Sequence, residues 1–108
     1  MEVRPPTKPN VTTSIRGDIA EVWRGDTQLG LLYQWTIHGT NGNWDGDANK
    51  YRLHSSGGGE VELRLFLTAP GGARLTVIAH GHLMGDQMPD GELHRESVKL
   101  RGTRLEVA

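Results

Sequence analysis

The sequence predicts an all-β, single-domain fold: an antiparallel β-sandwich or β-barrel of roughly seven or eight strands behind an extended arm. Three observations predict it. Apolar residues recur at every second position in several segments. Glycine is abundant, at 15 of 108 residues, and falls mostly between those segments. The Ala/Leu/Glu/Lys runs that a helical bundle needs are missing.

Residues 1–10, "MEVRPPTKPN", read as the arm, because Pro5, Pro6 and Pro9 stiffen the backbone and remove ladder donors. The β-domain is expected over 11–108. Thr12 to Val22 alternates weakly. Leu29 to Ile37 alternates strongly, with Leu29, Leu31, Tyr33, Trp35 and Ile37 on one face.

Arg24-Gly25-Asp26 stands between these two patterns, and Arg16-Gly17-Asp18 repeats the triplet inside the first. Gly-Asp between strands is turn chemistry, since Gly supplies positive φ and Asp bonds its own backbone. The second copy is therefore expected at a hairpin. The first is expected at a bulge or bend.

"HGTNGNWDGDANKY", residues 38–51, reads as a long irregular stretch with two turn-forming pairs, and a helix could hide in 41–56. Val61 to Leu67 is a clean strand, and "TAPGGA" leads to a return strand from Leu75 to Leu83. Residues 84–93 form a loop. Ser97–Leu100, a tight turn at Arg101-Gly102-Thr103, and Arg104–Val107 complete the chain. The expected core holds Leu31, Tyr33, Trp35, Val61, Leu63, Leu65, Leu75 and Val77. Leu32, Phe66 and Ile78 fall on the opposite faces, so both faces have something to bury.

Composition limits function. Formal net charge is −1 and the Arg residues are scattered, which argues against sequence-specific nucleic-acid or membrane binding. No cysteine is present, so no disulfide, thiolate site or cysteine nucleophile is available. That favours an intracellular origin, or an assembly held by neighbours. The start of the chain lacks the apolar run of a signal peptide, and no segment is long enough to span a membrane as a helix.

Some residues could carry chemistry. Asp45, Asp47 and Asn49 have the opening spacing of a calcium loop, but Lys50 stands where glycine is needed and Ser56 where a bidentate Glu is needed. A polar turn explains them. In "AHGH", His80 and His82 share a strand face, and His94 or Asp86 could complete a metal set. The pair resembles the cupin pattern of two such His before an acidic ligand. The alternative is an outer-face or contact role. Trp44 and Tyr51 could offer stacking platforms to a carbohydrate from the long loop. The serines lack an elbow signature, and "SSGGGE" leads into a strand, not a helix. Glu60, Glu62 and Arg64 read as a solvated or intersubunit face.

The order of features in "IRGDIAEVWRGDTQLGLLYQWTI", residues 15–37, resembles the opening of tail-tube and related virion proteins of long-tailed bacteriophages. The piece that carries it is Gly30-Leu31-Leu32-Tyr33-Gln34-Trp35-Thr36-Ile37. The Gly-rich hairpin "TAPGGARLTVIAHGHL" fits as well. The resemblance implies a non-enzymatic structural protein of the tail tube, baseplate or head surface, made in the host cytoplasm and built into the virion. It implies no catalytic residue and no cofactor. Partners would be further copies of the chain and other virion proteins, joined through β-edges and through the arm at Pro5, Pro6 and Pro9.

Overall fold

The computed structural model describes residues 2–3, 13–40, 43–55, 59–68 and 70–107. Its regular elements are strands: β1 (Glu2–Val3), β2 (Thr13–Arg24), β3 (Thr27–Thr40), β4 (Asn43–Leu53), β5 (Glu60–Thr68), β6 (Arg74–Met84) and β7 (Val98–Val107). Pro5, Pro6 and Pro9 lie outside the described residues.

Two antiparallel meanders, β2-β3-β4 and β5-β6-β7, stand edge to edge. The first strand of one pairs with the first of the other, β2 with β5. The last pair likewise, β4 with β7. The result is a closed six-strand antiparallel barrel, so of the two expected architectures the barrel is the one formed. β1 lies outside the ring, on the edge of β7.

The interior is filled by apolar side chains, with Trp35, Trp44, Tyr51 and Leu32 the largest that are fully buried. No charged or polar residue is buried among those described. Outward positions are charged, as at Glu62 and Arg64 on β5 and Lys99 and Arg101 on β7. This is the reverse of a transmembrane barrel, whose outward band is apolar.

Closure of so small a ring bends the strands, and alternation breaks where they bend. Inward residues are three apart instead of two at Gly17/Ala20, Leu32/Trp35 and Ala48/Tyr51, on three neighbouring strands. The break crosses β3 at Gln34, the one described non-glycine residue with positive φ, at 48°. A bulge between Val22 and Trp23 leaves Leu29 as the extra residue opposite them, so Leu29 and Gly30 are both buried.

These breaks correct the expected core. Leu32 faces inward, whereas Leu31 and Tyr33 are half-buried on the outer face. Leu75 has the inward parity of Val77 but lies beyond the point where β7 covers β6, and it is exposed. Trp35, Val61, Leu63, Leu65 and Val77 are buried as expected.

Two further corrections concern loops. The stretch 38–51 is the end of β3 and most of β4, with no helix in the described part of 41–56. Asn43, Asp45, Asp47 and Asn49 alternate outward while Trp44, Gly46 and Ala48 face in. The expected turn at Arg101-Gly102-Thr103 is instead a bulge inside β7. His80 pairs with Arg104 and Gly81 with Gly102, which leaves Thr103 unpaired, its hydroxyl donating to the His80 carbonyl at 3.2 Å.

Candidate functional site

Among the described residues, apolar side chains fill the interior and the charged and polar ones lie on the surface. Three regions of that surface draw on the residues singled out above.

The first is an outward polar row across β2, β5, β6 and β7. Trp23 pairs with Glu62, Glu62 with His80, and His80 with Arg104. His80 Nε2 lies 3.3 Å from Glu106 Oε2, and its Nδ1 lies 3.9 Å from Glu62 Oε1. Arg104 Nε is 3.0 Å from Glu106 Oε1. The hydrogen bond to His80 holds the Glu106 carboxyl below its usual range, and the Arg104 charge adds to that, against a smaller opposing effect of burial. Trp23 Nε1 donates to Glu21 at 2.9 Å, and the Arg64 guanidinium stacks 3.8 Å above the Trp23 ring. A groove beside the row is lined by Trp23, Glu60, Glu62, His80, His82 and Arg104. Glu21 and Glu106 each accept a hydrogen bond here and Glu62 lies beside His80, so the row is a lattice of mutually held polar side chains.

The metal expectation rested on His80, His82, His94 and Asp86. His80 and His82 do share the outer face of β6. His94 is instead in the β6–β7 connection. Its ring stacks on Tyr51 at 5.0 Å, its Nε2 is 2.8 Å from Asp90 Oδ1, and its backbone exchanges two hydrogen bonds with Tyr51. That bond holds the Asp90 carboxyl low. Among the described residues, no three His, Asp or Glu side chains are grouped to hold one ion.

Trp44 and Tyr51 correct the stacking expectation. They are 1% and 2% exposed, in the core of β4, and neither ring offers a face to a sugar. Trp44 Nε1 donates inward to the Arg104 carbonyl at 3.2 Å, and the Tyr51 hydroxyl accepts from Met88 N at 3.1 Å.

The third region is the pair of seams between the meanders. The β4–β7 seam joins only Trp44–Ala48 to Val98–Gly102, and both of its open ends are covered. Beyond Gly102, β7 pairs with Glu2–Val3. Beyond Ala48, β4 pairs at Tyr51 with His94, and Gly91 N donates to the Leu53 carbonyl at 2.9 Å.

The β2–β5 seam is shorter still, Ala20–Trp23 against Glu62–Leu65. Beyond Ala20 the strands diverge. Among the described residues, no strand pairs with the outer edge of β2 at Thr13–Ile19, or with that side of β5 at Phe66–Thr68. The notch between them is lined by Asp18, Ile19, Phe66, Leu67 and Leu75. Ile19, Phe66 and Leu75 are 44%, 43% and 41% exposed.

Sequence reasoning missed this notch. Its signal was Phe66 on the polar side of the β5 alternation and Ile19 close to a charged triplet.

The fold and this surface define a small closed antiparallel barrel whose interior is filled and whose β2–β5 seam has no further strand partner among the described residues. No family model, no curated protein and no solved structure matches the chain.

Proposed function

We propose that the protein is a non-enzymatic structural protein that assembles through its strand edges. The observation that carries this reading is the β2–β5 notch. There a run of strand edge without a partner among the described residues adjoins exposed Ile19, Phe66 and Leu75. Open edges are aggregation hazards that proteins normally cover, bulge or block with charge, and among the described residues the other seam is covered while this one is not. An edge with an apolar border suits strand addition, in which backbone hydrogen bonds hold the partner and apolar side chains add burial. The filled interior supports the same reading, since it leaves the surface as the place where the molecule works.

The resemblance of residues 15–37 to phage tail-tube and related virion proteins supports a role in a tail, baseplate or head surface. In that reading the partners are other copies of the chain and neighbouring virion proteins. The arm at Pro5, Pro6 and Pro9 would add a contact.

Sedimentation velocity over a wide concentration range tests the proposal. The expected result is concentration-dependent assembly that weakens in Ile19→Ser and Phe66→Ser, with the thermal transition retained because both side chains are exposed. A chain that stays monomeric at high concentration and does not bind particles from its own genome would overturn it.

A further inference from the structure

The first Arg-Gly-Asp triplet lies on the uncovered edge, and its order has a consequence for what can pair there. Arg16 and Asp18 are exposed, and neither side chain has an ion pair or hydrogen bond among the described residues. Gly17 between them faces inward, and a Cβ there would come within 2.6 Å of the Trp35 indole, so the ring backs the centre of the edge.

We infer that the β2 edge Ile15–Ile19 is a self-association edge, on which two copies pair antiparallel about a two-fold axis through Gly17. This deepens the assembly reading above and rests on it. The occupant is a second copy because the edge is complementary to itself. With Gly17 opposite Gly17, Arg16 of each copy lies opposite Asp18 of the other, and Ile15 lies opposite Ile19. Opposite charges directly across an antiparallel pair attract, and like charges repel. A two-fold contact uses each such pair twice.

Other registers lose this match. Centring on Arg16 sets Arg16 against Arg16. Centring on Asp18 sets Asp18 against Asp18 and sends Arg16 toward Ala20, whose edge Leu65 already occupies. In the Gly17 register the pairing ends at Ile19, the last residue before β5 takes the edge. Each copy's strand then runs past Ile19 of the other to the border of the notch, while Ile15 stays packed against its own core.

Charge reversal separates this contact from any other. Arg16→Asp gives a copy with two acids on the edge, and Asp18→Arg gives one with two bases. Each variant alone should self-associate about tenfold more weakly than the wild type, or worse, at low ionic strength. An equimolar mixture of the two should recover a heterodimer, because every cross-strand pair is again opposite in sign. Sedimentation velocity of the wild type, each variant and the mixture reads all four states, and circular dichroism checks that the fold is kept. Should either variant misfold, loss of wild-type association on raising the salt from about 50 to about 500 mM, roughly a threefold change in screening length, tests the same pairs. Variants that associate as the wild type does would overturn the Gly17-centred contact while leaving assembly through another surface standing. A wild type that is monomeric throughout would overturn both.

Discussion

The indole of Trp44, on β4, lies directly over Gly102, on β7, so closely that a Cβ at Gly102 would fall inside the ring. These two residues are also paired in register at the end of the β4–β7 seam. One of the two largest fully buried side chains therefore sits at the end of a short closing seam, and only glycine leaves room for it. Gly102→Ala should destabilise the protein by at least about 1–3 kcal/mol, the usual cost of overpacking. For a domain of this size that lowers the melting temperature by roughly 4–8 °C per kcal/mol. A variant that melts with the wild type would show that the ring is not there.

The break in alternation at Gln34 can be tested by truncation on either side of one strand. Leu32→Ala should cost about 2–5 kcal/mol, because Leu32 is fully buried. Leu31→Ala should cost clearly less, since that side chain is half-buried on the outer face. Chemical denaturation measures both. The reverse ranking would restore the unbroken alternation.

The second triplet lies at the β2–β3 hairpin. Arg24 pairs with Thr27, and Gly25 has φ 60°, in a two-residue loop of the type II′ pattern. Gly25→Val should lower stability by about 1–2 kcal/mol, since a β-branched residue is strained at that φ. Asp26→Glu should leave both stability and cell adhesion unchanged, with adhesion at background in wild type and variant alike. Specific adhesion lost in Asp26→Glu would show that the triplet is read by a receptor.

Acid should weaken the outer lattice. The Glu106 and Asp90 carboxyls are held below their reference values of 4.5 and 3.8, chiefly by hydrogen bonds from His80 and His94. A carboxyl lowered on folding contributes stability that is present above its unfolded value and is lost as pH falls through its folded value. The loss therefore begins near those reference values and runs to lower pH. An NMR titration of Glu106 should give a midpoint below 4.5 that rises in His80→Gln. An unmoved midpoint would remove His80 as the cause.

Much of this fold is legible in the sequence. The strands at Val61–Leu67 and Leu75–Leu83 and the Gly25 hairpin follow from alternation and turn chemistry. What alternation hides is the bending that closes a six-strand ring. Leu29, Leu31 and Tyr33 keep perfect spacing, yet a bulge and the Gln34 break turn Leu31 and Tyr33 outward. In "NWDGDANKY" the turn-forming residues disguise a strand, because Gly46 is needed for packing. A Cβ there would meet the Ile37 side chain at 2.8 Å. The His80 row needs four strands in register, and the sequence shows each only alone. The notch at Ile19 and Phe66 depends on where β2 and β5 part, which no local pattern encodes.

The most direct test of assembly through the open seam is amide hydrogen exchange at low and high protein concentration. The account predicts that amides of Arg16–Ile19 facing away from β3 exchange more slowly as concentration rises. The turn amides of Gly25 and Asp26 should not change. Protection at Arg16–Ile19 that is the same at every concentration, in a sample shown to assemble, would contradict it.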